Sequence, residues 1–283
     1  FYTNIRKRQG KKDALTKFGR NYSFKDLRKF LIKGDFNICN FEAAISNNQN
    51  EYLKRRKPFV LHADTRGNVE TLKSEKINLV TLANNHLMDC GLEGLNETVK
   101  QFNNHSIYTM GAGNNQIDAE NSFVINVNGT RITFFNAYWY RRPMYEEFDF
   151  YAIGSEPGVA CINPFIFEDI KKEKSQYPSG KIIVIAHWGS DFKNTHKMQT
   201  IYANQLDEAG ADLIIGHGAH MIQGIQNLGK AVVAYSIGNG VFNSNGEYNK
   251  RFVPAYGMIV QIIIGENNDY LKLRFYPIYI NNL

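Results

Sequence analysis

The stretch LVTLANNHLMDCG, residues 79–91, changes character halfway along its length. Its first five residues are mostly apolar and predict a buried strand. The chain then brings two amides and a histidine, Asn84, Asn85 and His86, and an aspartate, Asp89, follows three residues later. A buried strand that ends in polar side chains is typical of a sheet edge that carries a ligand site.

Three other predicted strands end in the same way. The strands, with the side chains that follow them, are 36–41 with Glu42, 182–186 with His187, and 212–216 with His217 and His220. Because ligands of α/β sheets bind at the carboxyl ends of the strands, we expect the four strands to be neighbours whose ends share one cleft. Carboxylate, amide and imidazole ligands suit Mn²⁺, Zn²⁺ or Fe.

The order of His86 and its neighbours suggests separate roles. An amide oxygen can bind a metal and leave the next imidazole as a proton donor or an electrostatic stabiliser. Asp89 can orient His86 through a hydrogen bond. The aromatic loop 138–158 contains Arg141 and Arg142, and two interpretations stay open: a lid that binds an anionic substrate, or ordinary loop packing.

The remaining pattern indicates a layered α/β protein. Predicted helices lie at 23–32, near 65–75, near 92–103, at 164–175 and at 197–209, and a hairpin turns at Asn128-Gly129. The last third of the chain contains antiparallel hairpins. We therefore expect helices on a sheet whose later strands turn antiparallel.

Composition bounds the class of protein. The 283 residues are 43% hydrophobic and 13% aromatic, which is enough for one large core. No apolar run is long enough for a membrane helix, and the N-terminus is polar and basic rather than a signal peptide. The three cysteines, Cys39, Cys90 and Cys161, are far apart, so we expect free, buried thiols.

The net charge of +6 is concentrated at one end of the chain. Residues 1–57 contain 15 Lys and Arg against 5 Asp and Glu, whereas the rest of the chain contains 18 against 22. A basic arm (1–22) either attracts an acidic polymer, a phosphate or an anionic membrane surface, or is simply solvated. Nucleic acid is not an expected partner, because no nucleic-acid motif accompanies the charge.

Five segments together resemble the CapA family, which is named for poly-γ-glutamate capsule synthesis and belongs to the calcineurin-like metallophosphoesterase superfamily. The segments are GDFNICNFEAAIS, INLVTLANNHLMDCGLEGLNETVKQFNNHSIYTMGAG, IIVIAHWGSDF, LDEAGADLIIGHGAHMIQGIQ and AVVAYSIGNGVF, in order over residues 34–242. The resemblance implies a single domain (1–283) with a four-layer α-β-β-α sandwich and a metal centre of one or two ions.

The resemblance also implies roles for individual residues. Glu42, Asn85, His187, His217 and His220 become candidate metal ligands, and His86 with Asp89 the candidate catalytic pair. Asn84, Asp191, Asn239, Arg141 and Arg142 become candidate substrate contacts.

Two departures from the family pattern affect the site. The family's opening strand, which ends in a ligand aspartate, has no counterpart after Phe1, so we expect at most one tightly held ion, on the histidine side. Gly238-Asn239-Gly240 replaces the usual Gly-Asn-Phe, and Asp191 replaces a glutamate.

Three functions remain open at this stage. The first is a metal-dependent, metallophosphoesterase-like hydrolase acting on an anionic phosphoryl, acyl or peptide substrate. The second is a non-catalytic polymer-binding component of a capsule-assembly machine, with other capsule-synthesis proteins as partners. The third is a metal-dependent peptide Cα epimerase. The free cysteines favour the cytoplasm, whereas the family implies membrane association, with an extracellular position if an anchor lies upstream of Phe1.

Overall fold

The protein has a mixed α/β fold. The structure is a computed structural model that describes residues 17–47, 53, 57–242, 246–266 and 271–280. The strands are β1 (Ile38–Asn40), β2 (Ala44–Ile45), β3 (His62–Ala63), β4 (Leu79–Thr81), β5 (Tyr108–Met110), β6 (Ala112–Gly113), β7 (Phe123–Val127), β8 (Thr130–Tyr138), β9 (Gly158–Val159), β10 (Lys181–His187), β11 (Leu213–His217), β12 (Ile225–Asn227), β13 (Val232–Ala234), β14 (Tyr256–Ile264) and β15 (Leu271–Tyr279).

Helices connect most of these strands. The α-helices are α1 (Arg28–Leu31), α2 (Asn68–Ser74), α3 (Gly91–Asn104), α4 (Gln116–Glu120), α5 (Arg142–Glu146), α6 (Pro164–Gln176), α7 (Lys197–Ala209) and α8 (Glu247–Lys250), and two 3₁₀ helices lie at Arg20–Phe24 and Leu87–Cys90. Asn163 caps the N-terminus of α6 by accepting from Ile166 N, and Pro164 follows as the first helical residue.

A six-stranded sheet forms the centre of the fold. Its strand order is β12-β13-β11-β10-β8-β7. The four inner strands run parallel, and the two edge strands pair antiparallel with their neighbours. In this register His187 at the end of β10 lies beside His217 at the end of β11.

A second, three-stranded parallel sheet has the order β1-β4-β5. The prediction that four site-bearing strands are all neighbours is therefore wrong. β1 pairs with β4 in the small sheet, while β10 pairs with β11 in the large one. Hydrophobic runs identify buried strands, but they do not say which sheet each strand joins.

Side chains from both sheets share one apolar cluster. Ile183 and Ile185 of β10 belong to it together with Leu79 of β4, whereas Ile182 and Val184 join a second cluster that includes helix residues. This alternation follows from the two-residue period of a strand, which turns successive side chains to opposite faces. The β14–β15 hairpin also contributes apolar side chains to the shared cluster.

A buried amide connects the two sheets near the strand ends. Asn136 of β8 accepts a hydrogen bond from Ala83 N at 2.9 Å, just past β4, and donates to Ile185 O of β10 at 2.9 Å. Gly111 lies against this amide with φ +89°, and a Cβ there would come within 1.9 Å of Asn136 Oδ1. Only glycine fits both the backbone and the space.

The structure confirms most of the helices and the hairpin turn that the sequence predicts. The long helices are confirmed within a few residues at each end, and Asn128-Gly129 does form the β7–β8 turn, with φ values of 50° and 78°. The helix expected at 23–32 is wrong in extent, because it is only the four-residue α1 after a 3₁₀ turn. Most of the predicted basic arm, residues 1–16, lies outside the described residues.

The loop 138–158 is packed rather than open. It contains α5, and Phe148, Phe150 and Tyr151 are buried in the second apolar cluster, the one that includes helix residues. The Tyr151 hydroxyl donates to Trp139 O at 2.7 Å. Of the two interpretations of this loop, the contacts favour loop packing.

Two further expectations concern thiols and membranes. All three cysteines are free, as predicted, and Cys90 and Cys161 are buried, whereas Cys39 is only half-buried. Within the described ranges, none of the helices has both the length and the apolar character needed to span a bilayer.

Candidate functional site

Two buried imidazoles form the centre of the candidate site. His187 and His217 end adjacent parallel strands, and their Nδ1 atoms are 3.0 Å apart. Both rings are almost fully buried. One of the two nitrogens must carry the proton of this hydrogen bond, so each ring can be neutral and still be satisfied at Nδ1.

The small sheet brings a carboxylate to this pair. Glu42 follows β1, and its Oε1 lies 3.8 Å from His187 Nε2, with only 20% of the Glu42 side chain exposed. Its Oε2 accepts a long hydrogen bond from Asn40 Nδ2 at 3.5 Å. Residues from two separate sheets thus meet at one place, although the strands are not neighbours.

Two buried polar atoms of the predicted ligands have no hydrogen-bond partner. These atoms are Asn85 Oδ1 and His217 Nε2. Because buried polar atoms nearly always find a partner, such atoms mark where a cation or a ligand fits. Within the described part of the chain, however, no group of three His, Cys, Asp or Glu residues is arranged to hold a metal ion.

Asn84, a predicted substrate contact, has its amide group fully hydrogen-bonded within the protein. It is fully buried, and its Oδ1 accepts from His86 N at 2.9 Å and from Leu87 N at 3.1 Å. Its Nδ2 donates to Asn40 Oδ1 and to Phe41 O. All four hydrogen-bonding positions are filled. Asn84 therefore connects the ends of β1 and β4 and shapes the turn that carries His86.

His86 and Asp89 form the close pair that the sequence predicted. His86 Nδ1 is 2.6 Å from Asp89 Oδ2, and Asp89 is completely buried. Asp89 also accepts from Leu61 N at 2.6 Å. A third group, Lys57, joins them: its Nζ donates to Asp89 Oδ1 at 2.5 Å, and it also bonds the main-chain oxygen of Asn85.

Sequence reasoning missed Lys57. It is the last of four consecutive basic residues, a run that is typically a solvated surface, and nothing in the sequence separates it from the others. In the structure only 8% of Lys57 is exposed. Burial lowers the pKa of its ammonium group, and the Asp89 carboxylate acts in the opposite direction.

His220 lies in a second polar group, and its backbone is left-handed with φ 56°. Its Nδ1 is 2.9 Å from Asn239 Oδ1, and its carbonyl accepts from Asn239 Nδ2 and from the Tyr248 hydroxyl. The rings of Phe192 and Phe242 stack on the imidazole. Asn239, a candidate substrate contact, thus bonds the backbone of His220, and these contacts hold an uncommon conformation in place.

The two candidate arginines differ sharply in their surroundings. The Arg142 side chain is 76% exposed and pairs with Glu146 at 2.8 Å. The half-buried Arg141 guanidinium lies over the Trp139 ring at 5.1 Å. No ion pair involves it within the described residues. Its charge lowers the pKa of Tyr138, although burial, the larger effect, raises that pKa.

Other groups complete the rim of the site. The Tyr138 ring is 5.4 Å from the His187 ring, and exposed Asp191 is close enough to act on the Tyr138 hydroxyl. Gly218, with φ +109°, lets the chain after β11 pass close to His187, because a Cβ there would lie 2.9 Å from His187 Nε2. The site therefore has a carboxylate, several imidazoles and a guanidinium that forms no ion pair with the residues described by the structure.

Burial controls the protonation of the central imidazoles. It lowers the pKa of His217 to about 3, with a further contribution from charge on His220. The pKa of His187 is lowered well below its usual value, first by burial and then by the charges of neighbouring histidines and Lys57. Both rings are therefore neutral near pH 7, which is the form that binds a metal.

We expect the stability of the chain to fall as the pH drops below about 6.5. There the unfolded state takes up protons on these histidines while the folded state does not, so each ring adds a slope of about 1.4 kcal/mol per pH unit. Urea unfolding between pH 7 and 4.5 measures this slope. His217→Gln should reduce it, and identical slopes in both proteins would contradict buried, neutral His217.

Comparisons with known proteins agree with the sequence resemblance. The family model described as "Bacterial capsule synthesis protein PGA_cap" matches residues 3–244. The chain is 29% identical over 239 residues to the capsule biosynthesis protein CapA of Bacillus anthracis, covering 82% of this chain and 56% of that protein. It is 28% identical over 227 residues to the PGA biosynthesis protein CapA of Bacillus subtilis, covering 80% and 58%.

Two further similarities are more distant. A probable polyglutamine synthesis accessory protein of Mycobacterium tuberculosis is 28% identical over 200 residues, which covers 68% of this chain and 52% of that protein. The chain thus spans little more than half of the length of these relatives. A hypothetical protein from Thermus thermophilus shares the fold, with a TM-score of 0.52, 13% identity, and coverage of 92% and 94%.

Proposed function

This chain belongs to the bacterial capsule synthesis protein family PGA_cap, and from that premise we propose that it is a capsule-synthesis protein that acts on an anionic poly-γ-glutamate-type polymer at the site described above. The observation that carries the proposal is the meeting of Glu42, His187 and His217 from two sheets. Its relatives by name serve capsule, PGA or polyglutamine synthesis. Other capsule-synthesis proteins, at a membrane or outside the cell, are the proposed partners and setting.

The proposal includes one divalent ion, Mn²⁺, Zn²⁺ or Fe, on the histidine side. Its support is the pair of unpartnered buried atoms, Asn85 Oδ1 and His217 Nε2, together with the neutral imidazoles. Such an ion would polarise an acyl or phosphoryl oxygen of the substrate. In this proposal Glu42, His187 and His220 bind the ion or hold its ligands in place. The His86–Asp89 pair transfers a proton next to the ion.

The four-layer α-β-β-α sandwich of the metallophosphoesterases is a further part of the proposal. It is supported by the shared cluster between the sheets and by the helix residues of the second cluster. Superposing an experimental structure of this chain on a metallophosphoesterase would test it. Layers in a different order would contradict it.

We expect Arg141 to bind the carboxylates of the polymer. Arg141→Ala should weaken binding of a fluorescent oligo-γ-glutamate about tenfold at low salt, because a charged hydrogen bond contributes on the order of 1.5–3 kcal/mol. Fluorescence anisotropy measures the dissociation constant. The effect should shrink as salt is added, since salt screens exposed charges.

Arg142→Ala is the matched control. The two arginines are adjacent, but Arg142 is already paired with Glu146 and points into solvent. We expect less than a twofold change for this variant. Equal losses in the two variants would show that only the net charge of the loop matters and would remove Arg141 from the site.

Hydrolysis and simple binding can be separated by one experiment. Poly-γ-glutamate is incubated with the chain and Mn²⁺, and its length is followed by size-exclusion chromatography, with His86→Ala as the control. Shortening that needs His86 supports a hydrolase. Unchanged length with retained binding supports a non-catalytic polymer-binding component, the alternative favoured by the lack of a three-residue metal cluster among the described residues.

A further inference from the structure

Lys57 is a buried lysine that contacts three parts of the candidate site at once. Its Nζ donates to Asp89 Oδ1 at 2.5 Å and to the main-chain oxygen of Asn85, and it lies 3.1 Å from His86 Nδ1. The same ammonium lies over the Phe150 ring at 5.1 Å. A long, charged side chain is seldom held so deeply unless its partners are fixed around it.

The chemistry of these contacts decides how His86 is oriented. An ammonium group can only donate, and an ionised carboxylate can only accept. At 2.6 Å from Asp89 Oδ2, His86 Nδ1 must therefore carry the proton and donate it to the carboxylate. The other nitrogen, Nε2, has no hydrogen-bond partner within the described residues, and it carries the lone pair whenever the ring is neutral.

We propose that Lys57 is the positioning residue of this site. By holding Asp89 it fixes His86 in the Nδ1–H tautomer, with Nε2 turned away from the Lys57–Asp89 pair as an acceptor. By bonding the Asn85 carbonyl it fixes the loop that presents the unpartnered Asn85 Oδ1. Lys57 thus acts through its neighbours and touches neither ion nor substrate.

This assignment changes the chemistry expected of His86. A neutral imidazole held with Nδ1–H accepts a proton or an ion at Nε2, whereas the sequence suggested a proton donor or an electrostatic stabiliser. The role of His86 in binding or catalysis rests on the proposed function. The orientation of the His86 ring does not, because that orientation depends only on contacts within the chain.

Lys174 provides a matched control. Its Nζ binds Asp212 Oδ2 at 2.8 Å and Gly180 O at 3.1 Å, and Asp212 also accepts from a main-chain N–H, that of Ile182. This is the same combination of carboxylate and carbonyl that Lys57 makes. It lies at the opposite end of β10, away from His187, so its loss should affect stability without affecting the site.

The test uses nitrogen-15 NMR of the histidine side chains in the metal-free chain, with the His86 signals identified by their absence in His86→Gln. We expect the unmodified chain to show the Nδ1–H tautomer at His86. In Lys57→Met the two nitrogen shifts should move toward each other as the tautomers mix. In Lys174→Met they should stay unchanged. An unchanged His86 spectrum in folded Lys57→Met, or equal changes in both variants, would overturn the proposal.

A second variant and a second readout keep the test decisive. Should Lys57→Met fail to fold, Lys57→Gln replaces it, because its amide can still donate to one of the two oxygens, and a smaller shift in the same direction is expected. Calorimetry with Mn²⁺ should then show binding about 10–100-fold weaker in the Lys57 variant only, as for other residues that orient metal ligands. Absence of Mn²⁺ binding in the unmodified chain would refute the proposed metal site, while the NMR comparison would still decide the role of Lys57.

Discussion

Asp89→Ala should lower the free energy of unfolding by about 3–5 kcal/mol, because it leaves a buried ammonium group without its counter-charge. Asp89 has no exposed surface and accepts from three donors, Lys57 Nζ, Leu61 N and His86 Nδ1. The buried Lys57 and His86 side chains and the N–H of half-buried Leu61 would each lose this partner. Since domains of this size are stable by only about 5–15 kcal/mol, this single change removes a large share of the total.

Glu146→Ala is the control for this effect. Glu146 pairs with Arg142 at 2.8 Å, a distance close to that of the Lys57–Asp89 pair. The Glu146 and Arg142 side chains, however, are 48% and 76% exposed. Exposed pairs contribute about 0–1 kcal/mol, so we expect a small loss. Urea unfolding at pH 7 measures both variants, and Asp89→Asn, which keeps an acceptor oxygen, should fall between them. A loss below 1 kcal/mol for Asp89→Ala would show that Lys57 is solvated.

The sequence was a good guide to the strand ends that carry the site. Apolar runs and abrupt polar termini are local properties, so they identified β4, β10 and β11 together with Asn85, His187 and His217. The closeness of Glu42 to His187 was also foreseen in outline, because both follow buried strands. The division of the site-bearing strands between two sheets was not predicted, because strand pairing depends on contacts between residues that are distant in sequence.

Lys57 shows why the rest could not be predicted. A lysine is ordinarily exposed, and its burial here depends on Asp89, which lies 32 residues further along the chain. The loop 138–158 is a second region whose packing the sequence did not decide. Its sequence left a lid and ordinary loop packing both open, and Phe150 and Tyr151 lie in the core, where the apolar surface that they bury stabilises the fold. Arg141 of this loop forms no ion pair with any residue that the structure describes.

The predicted metal site can be tested by comparing two histidines. His217→Ala should weaken binding of a single Mn²⁺ ion by more than about 100-fold, because it removes a proposed direct ligand, and even an outer partner typically contributes 10–100-fold. The ring is buried, is neutral near pH 7, and has an unpartnered Nε2. Isothermal titration and elemental analysis of the purified chain give affinity and stoichiometry, and we expect no more than one equivalent in the unmodified chain.

His196→Ala provides the comparison, because it changes a histidine that has a clear structural role outside the site. His196 is exposed and is the N-cap of α7, where its Nδ1 accepts from Met198 N at 3.1 Å. Its loss should lower stability by about 1 kcal/mol through the missing cap, so both variants are destabilised but only one should lose the ion. Equal metal content in the two variants, or two full equivalents in the unmodified chain, would show that the ligands lie elsewhere. His217 would then be a buried core histidine that is held through its Nδ1 by His187.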